Sequence, residues 1–230
     1  MLRLIAVLTA CLALVLAGCG DDEPEPTAEA TPTAEETPEV NEYLPEGCED
    51  VEVPEPKEVS LDAPDEKLDA KKTYVATVST SCGDFKITLD AKRAPITGGS
   101  FKYMADEKVF DNTTFHRIVS DFVIQGGDPA GNGTGGPGYT VEEAPPSDLA
   151  YEEGIVAMAK TGAEPAGTSG SQFFVVTGAG AASLPPDYAL LGEVSEGMDV
   201  VKTIGSIQAD PNTGQPATPV VIKSVSVTEE

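Results

Sequence analysis

Short runs of β-branched and apolar residues, separated by turn residues, begin at Tyr74 and recur to the end of the chain. The first two runs, 74–78 and 85–89, flank a tight turn that contains Gly83. Alternation with a period of two is typical of a strand with one buried face, and a short turn between two such runs favours a hairpin. The sequence therefore predicts that the folded part of the chain opens with a β-hairpin.

Six further runs have the length and the β-branched composition of strands. They occupy 114–118, 123–126, 155–159, 173–177, 189–194 and 220–227. Together with the hairpin they make seven or eight short strands, a pattern typical of a β-barrel or a β-sandwich. The prediction for this part of the chain is a mainly β fold.

Two segments have helical rather than strand-like spacing. Pro95 suits the first turn of a helix that continues toward Met104, although Gly98 and Gly99 weaken this prediction. A second, amphipathic helix is predicted over 196–204, where the apolar residues fall on one face. Gly and Pro are concentrated between the strands in 126–138 and 161–170. Such irregular segments are predicted to be long surface loops, where binding residues usually lie.

The first residues of the chain form a separate unit. Arg3 precedes the apolar run 4–16, which is shorter than the roughly 20 residues of a membrane-spanning helix. The run predicts a signal peptide over 1–18. The Leu-Ala-Gly-Cys that ends at Cys19 resembles the lipobox of bacterial lipoproteins, which implies a lipidated Cys19 that anchors the protein to the outer face of the cell membrane. An ordinary secretory signal with an incidental cysteine is the alternative.

Of the four cysteines, Cys11 leaves with the signal peptide and Cys19 is assigned to the lipid. Cys48 and Cys82 remain as an even pair in a protein that is expected to reach an oxidising compartment. We therefore predict a disulfide between Cys48 and Cys82. Two free thiols are the alternative.

The acidic residues are unevenly distributed. Residues 21–66 contain eighteen Asp and Glu against a single lysine, and they account for much of the net charge of −25. An acidic segment rich in Pro and Thr, with few apolar groups, favours an extended and solvated chain. The prediction is a disordered linker over 19–66 and a folded domain over 67–230. The charge argues against a nucleic-acid partner, and a specific acidic docking sequence is the alternative use of the segment.

Three motifs of the folded part resemble one known family. Residues 115–128 read Phe-His-Arg-Ile-Val-Ser-Asp-Phe-Val-Ile-Gln-Gly-Gly-Asp, 132–136 read Asn-Gly-Thr-Gly-Gly, and 170–174 read Gly-Ser-Gln-Phe-Phe. Their content and order are similar to the signature of the cyclophilins, and the resemblance covers about residues 72–228. It implies a closed eight-stranded antiparallel barrel capped by two helices. It also implies a peptidyl-prolyl cis-trans isomerase that acts on Xaa-Pro-containing polypeptide clients without a cofactor.

The reaction that the resemblance implies is rotation about the imide bond, whose barrier of roughly 18–20 kcal/mol comes from amide resonance. Arg117 matches the catalytic arginine of the family, which can donate hydrogen bonds near the prolyl nitrogen as resonance is lost. The resemblance also implies a set of substrate-binding residues. They are Phe122, Val123, Gln125, Gly133, Ala159, Lys160, Thr161, Gln172, Phe174, Leu184 and Tyr188.

The sequence departs from the family at the rim of this pocket. Lys160 and Thr161 replace the asparagine and alanine of many members, and Tyr188 replaces a histidine. The chain has no tryptophan, and Ser183 occupies the position of the indole that many members carry. Substrate preference is therefore expected to differ, and cyclosporin-type ligands are expected to bind weakly.

His116, the only histidine, is not predicted to be a general base or a metal ligand. Rotation about the imide bond moves no proton, and a single histidine without nearby ligands makes a poor metal site. We expect a monomer that binds no metal. A peptide-binding chaperone without catalysis is the alternative on the same fold, and a surface lipoprotein that works through its acidic tail is a third hypothesis.

Overall fold

A computed structural model gives the structure of the chain and describes residues 43–230. The predicted signal peptide, the lipidation site Cys19 and residues 19–42 of the predicted linker lie outside the described residues. No helix within 43–230 is long and apolar enough to cross a membrane.

The predicted hairpin is present as β1 (Tyr74–Thr80) and β2 (Gly83–Leu89). Its strands pair in antiparallel register, with Val75 opposite Thr88 and Thr80 opposite Gly83. In β1 every second residue is buried, as the alternation of the sequence predicts.

The remaining strands follow the predicted runs, with two short additions. They are β3 (Thr113–Thr114), β4 (Arg117–Val119), β5 (Val123–Gly126), β6 (Val141–Glu142), β7 (Ile155–Met158), β8 (Thr168–Ser169), β9 (Phe173–Val176), β10 (Leu190–Glu196) and β11 (Val221–Glu229). The predicted strand over 114–118 is divided into β3 and β4, and Phe115 between them is fully buried. The sequence did not predict the short strands β6, which follows the predicted loop 126–138, and β8, which lies within the predicted loop 161–170.

Nine of these strands form one sheet, in the order β3-β11-β1-β2-β10-β7-β9-β5-β4, and β6 pairs only with β8. An isolated antiparallel bridge joins Thr114 in β3 to Asp128, two residues beyond β5. This bridge links β3, at one end of the sheet order, to the segment that follows β5, the last strand but one at the other end, and it is compatible with the closed barrel that we expected. The prediction of a mainly β fold is confirmed, with nine strands in the main sheet instead of eight.

The two predicted helices are α1 (Pro95–Asp106) and α2 (Met198–Gly205), and a short 3₁₀ helix covers Ala179–Ser183. The glycines that weakened the prediction of α1 have a packing role. A Cβ atom at Gly98 would collide with the side chain of Leu68, and one at Gly99 would collide with the carbonyl oxygen of Glu66. The chain over 66–68 therefore crosses α1 at a distance that only glycine allows.

The apolar residues form two clusters on opposite faces of the sheet. The larger cluster contains Phe101, which stacks on Phe110 with ring centroids 4.7 Å apart. Alternate residues of β9 divide between the clusters: Phe173 belongs to the larger one and Phe174 to the smaller one. Because successive side chains of a strand point to opposite faces, β9 connects the main core with the surface that carries the candidate site.

Residues 43–66, which we call the strap, differ from the predicted linker. The strap has no helix or strand, as expected, but it packs against the domain. Cys48, Val59 and Leu61 contact the larger apolar cluster, and the predicted disulfide joins Cys48 to Cys82. The domain boundary that we placed at residue 67 is therefore too late, because a minority of apolar side chains is enough to bind an otherwise acidic segment to the surface.

The disulfide closes a loop with a sequence separation of 34 residues. Replacing both Cys48 and Cys82 by serine is expected to lower the free energy of unfolding by about 4 kcal/mol, since the open chain gains conformational entropy when it unfolds. Denaturant titration of the double variant beside the oxidised wild type measures this difference. Equal stabilities would show that the cross-link does not constrain the unfolded chain.

Candidate active site

The candidate site is built on a row of residues that lie opposite one another on neighbouring strands. Arg117 of β4 is paired with Gln125 of β5, and Gln125 is paired with Phe174 of β9. Directly opposite residues of antiparallel strands project to the same face of the sheet. The register therefore brings together three residues that are far apart in the sequence, and it places the guanidinium, the amide and the aromatic ring side by side.

A hollow of about 350 Å³, lined by apolar side chains together with Arg117, Gln125 and Lys160, lies beside this row. Three further side chains of its wall come from loops or loop ends: Phe122, Leu184 and Tyr188. Arg117 and eight of the eleven predicted substrate-binding residues line the hollow. These eight are Phe122, Val123, Gln125, Ala159, Lys160, Phe174, Leu184 and Tyr188.

The aromatic wall of the hollow has a fixed geometry. The rings of Phe174 and Tyr188 meet edge to face, with centroids 5.4 Å apart. Tyr151, which is fully buried, lies behind both rings at centroid distances of 6.1 Å and 6.0 Å. Edge-to-face contacts are favourable beyond their buried area, so these rings stabilise one another in this arrangement.

Tyr151 also holds the backbone of Tyr188. Its hydroxyl accepts a hydrogen bond from the amide of Tyr188 at 3.0 Å and donates one to the carbonyl of the same residue at 2.8 Å. Burial raises the pKa of Tyr151 to about 12, so the hydroxyl keeps its proton at neutral pH. Tyr151 could not be selected from the sequence, because it lies in a loop outside every motif of the resemblance.

A chain of three hydrogen bonds leads from the Arg117 guanidinium away from the hollow. The Arg117 guanidinium donates to Oε1 of Gln125 at 3.4 Å, and Nε2 of Gln125 donates to Oε1 of Gln172 at 3.1 Å. Nε2 of Gln172 then donates to the carbonyl of Gly135 at 3.0 Å. Each amide uses one donor and one acceptor in this chain, which fixes its orientation and leaves it further capacity to bind a peptide backbone.

Two wider depressions adjoin the hollow, and Gln125 lines all three. The larger, of about 780 Å³, contains Tyr139 in its wall and is called the Tyr139 depression. The other, of about 480 Å³, is called the His116 depression. The three predicted substrate-binding residues that do not line the hollow are Gly133, Thr161 and Gln172, and all three line the Tyr139 depression.

The glycine-rich loop, residues 129–137, separates these two depressions. The fully buried carboxylate of Asp128 holds the loop from inside, since it accepts hydrogen bonds from the amides of Ala130, Asn132 and Gly133 at 2.9, 3.0 and 2.6 Å. Asp128 is the last residue of the motif 115–128, but the sequence did not show that its carboxylate orders the loop.

Lys160 is buried and ion-paired, unlike a lysine on the open surface. Its side chain is only 4% exposed, and its ammonium forms an ion pair with Asp187 at 2.6 Å. The same ammonium donates to the carbonyls of Thr161 and Glu164, and it lies 5.6 Å from the ring centroid of Tyr188. Lys160 therefore connects two loops at the rim of the hollow.

The remaining predictions concern His116 and Ser183. His116 is partly buried, and burial lowers its pKa more than nearby Asp128 raises it, so the imidazole is neutral at pH 7. Within residues 43–230 no group of three or more His, Cys, Asp or Glu could hold a metal ion. Ser183 is exposed at the end of the 3₁₀ helix, next to Leu184 in the wall of the hollow.

The arrangement combines a hollow that has an apolar wall with the Arg117 cation at its edge. Such a site can hold a small apolar ring while the guanidinium donates hydrogen bonds to an atom beside that ring. The amides of Gln125 and Gln172 can bind the polar backbone on either side. None of these contacts requires a proton to be transferred.

Comparison with known proteins gives one consistent match. A family model described as "Cyclophilin type peptidyl-prolyl cis-trans isomerase/CLD" matches residues 75–227. Peptidyl-prolyl cis-trans isomerase B of Streptomyces anulatus is 39% identical over 176 residues, which cover 69% of this chain and 98% of that protein. Peptidyl-prolyl cis-trans isomerase A of Mycobacterium tuberculosis is 35% identical over 173 residues, which cover 67% of this chain and 92% of that protein.

Solved structures agree with this match. The crystal structure of a cyclophilin-type peptidyl-prolyl cis-trans isomerase from Cryptosporidium parvum has a TM-score of 0.61 and 29% identity, and the match covers 69% of this chain and 99% of that one. The same protein in the presence of the dipeptide Ala-Pro has a TM-score of 0.60 and 29% identity, with 68% and 99% covered.

Replacing Tyr151 by phenylalanine is expected to lower the free energy of unfolding by about 1–3 kcal/mol, since the amide and the carbonyl of Tyr188 lose their partner. The pH profile gives a second test. Because the pKa of Tyr151 is raised from 10.0 to about 12, its contribution is complete below pH 10 and is lost as the pH rises through 12.

Thermal unfolding of both proteins between neutral pH and pH 12 measures these effects. The stability difference between wild type and Tyr151→Phe should narrow at the alkaline end. A difference that is absent at neutral pH, or constant across the range, would contradict the role of the hydroxyl.

Proposed function

The chain belongs to the cyclophilin-type family of peptidyl-prolyl cis-trans isomerases, and we propose that it accelerates rotation about Xaa-Pro bonds through Arg117, without a covalent intermediate. The observation that carries this proposal is that Arg117 lines the same hollow as Phe174 and Tyr188 and is oriented by its hydrogen bond to Gln125. A proline ring in the hollow would lie beside the guanidinium.

The mechanism follows from the electronic change during rotation. As the imide bond twists, resonance is lost and the prolyl nitrogen becomes a better hydrogen-bond acceptor. A guanidinium held beside it stabilises this state more than the planar ground state, which is the condition for catalysis. An acceleration of about ten thousandfold requires a barrier lower by roughly 5.5 kcal/mol, and a charged donor together with a fixed substrate can supply this amount.

Rotation also requires one side of the bond to be held still while the other side turns. The apolar wall of the hollow is suited to holding the proline ring, and the amides of Gln125 and Gln172 can bind the backbone next to it. The neutral state of His116 is consistent with this mechanism, in which no base takes part. The reaction needs no cofactor.

The proposed place of action is the outer face of the cell membrane, on secreted or surface proteins. The support is the apolar run 4–16 followed by Cys19, together with the disulfide of Cys48 and Cys82, which suits an oxidising compartment. The alternative function on the same fold is a chaperone that binds proline-containing segments without isomerising them. The observation in support of this second candidate is the altered rim, in which Lys160, Ser183 and Tyr188 differ from the residues of many family members.

Replacing Arg117 by alanine is expected to lower kcat/KM by about a hundredfold, because the variant loses the donor that acts in the transition state. The assay is the refolding of a protein whose slow phase is limited by prolyl isomerisation. Arg93→Ala is the matched control, since Arg93 is an exposed arginine that pairs with Asp90 away from the hollow. Equal rates for wild type and Arg117→Ala would remove the arginine from the mechanism.

Peptide affinity separates the two candidate functions in the same experiment. The isomerase proposal predicts that Arg117→Ala still binds Xaa-Pro peptides, because the apolar wall of the hollow is unchanged. Wild-type protein that binds these peptides but leaves the refolding rate unchanged would support the chaperone instead.

Replacing Lys160 by methionine is expected to lower kcat/KM about threefold to tenfold, because Asp187 loses its cation and the two rim loops lose their connection. Lys160→Arg, which keeps the charge, should recover part of the activity. Peptide isomerisation assays of wild type and the two variants measure kcat/KM. If the methionine variant matched wild type, Lys160 would have no role in shaping the hollow.

A further inference from the structure

Lys57 is the only basic residue in the acidic segment 21–66, and it is used as an anchor. Its ammonium donates to the carbonyl of Lys108 at 3.1 Å and to the carbonyl of Asp111 at 2.6 Å. Lys108 and Asn112 both have positive φ, of 58° and 54°, so this turn adopts a backbone conformation that side chains other than glycine rarely take. Lys57 thus fastens the strap to an unusual turn that follows α1.

The strap also binds both ends of the glycine-rich loop. The amide of Lys57 donates to the carbonyl of Pro129 at 3.0 Å, and the amide of Leu61 donates to the carbonyl of Pro137 at 2.8 Å. Immediately after the loop, a Cβ atom at Gly138 would lie only 2.9 Å from Cα of Ser60. The loop is therefore held from outside by the strap and from inside by Asp128.

Two side chains of the strap form walls beside the hollow. Val53 lines the His116 depression, and Val59 lines the Tyr139 depression. Val53 is 69% exposed, and Tyr43 is the only other exposed large apolar side chain within residues 43–230. The lining of the hollow itself contains no strap residue among those described.

We propose that the strap is a working part of the isomerase site, in which Lys57 positions the glycine-rich loop while Val53 and Val59 contact client residues on either side of the proline. This inference rests on the proposed function, and it adds a determinant of client affinity that lies outside the three motifs. The strap acts on the flanking residues of a client and not on the rotating bond.

Because the strap lies beside the hollow and not in it, we expect the strap to affect KM and not kcat. A loop that is already ordered binds a client without a further loss of conformational entropy, so loosening it weakens binding. No strap residue lines the hollow, so we expect the hollow and Arg117 to stay in place. Loss of the strap anchor should therefore raise KM for long clients and leave kcat nearly unchanged.

The first test uses Lys57→Met, which removes the ammonium and keeps the apolar stem. We expect KM for a long proline-containing peptide to rise about threefold to tenfold, with kcat within about twofold of wild type. A short blocked Xaa-Pro peptide, which occupies only the hollow, should show no change. Lys57→Arg should recover the wild-type KM, and Lys202→Met is the control for loss of an exposed lysine, since Lys202 pairs with Glu153 away from the strap.

The second test uses Val53→Ser, which removes an exposed side chain and leaves folding intact. It should raise KM for the long peptide and not for the short one. Unchanged KM for the long peptide in both Lys57→Met and Val53→Ser would overturn the inference, as would an equal loss with short and long peptides.

Hydrogen exchange keeps this inference separate from the proposed function. The amides of Asn132 and Gly133 should exchange faster in Lys57→Met than in wild type, whether or not the protein isomerises any peptide. If the wild type has no isomerase activity but the loop amides respond, the positioning of the loop stands and the proposed function fails. Unchanged exchange at these amides would contradict the positioning role directly.

Discussion

The structure of the site depends on the pairing register of three antiparallel strands. Arg117 lies opposite Gln125, and Gln125 lies opposite Phe174, so a cation, an amide and an aromatic ring are placed in one row. A shift of the register by one residue would turn each of these side chains to the other face of the sheet. The larger core prevents such a shift, because Ile124 and Phe173, the neighbours of Gln125 and Phe174, are fully buried on that other face.

The sequence predicted most of this arrangement, because the relevant information is local. Short apolar, β-branched runs identified β5 and β9 closely, and the motifs identified the residues that line the hollow. The division of the predicted strand over 114–118 was not visible, since burial of Phe115 in the core is a tertiary effect. Tyr151 was missed for a similar reason: its two hydrogen bonds are to the backbone of Tyr188, and a backbone partner leaves no mark in the sequence.

The strap shows where composition alone is insufficient. An excess of carboxylates over residues 21–66 favours a solvated chain, and residues 43–66 do lack helices and strands. Yet a few well-placed groups bind them to the domain: the cystine of Cys48, the apolar side chains of Val59 and Leu61, and the ammonium of Lys57. The single lysine was counted as part of the charge balance, whereas its position gives it a structural role. Average composition could not reveal this, because the contacts are made by individual residues.

The most direct test of the account is a crystal structure of the protein with a bound Xaa-Pro peptide. The account predicts that the proline ring contacts Phe122, Phe174 and Tyr188 in the hollow, with the Arg117 guanidinium within hydrogen-bonding distance of the imide nitrogen or the adjacent carbonyl. A peptide that binds elsewhere, or a proline in the hollow with Arg117 turned away from the imide bond, would contradict it.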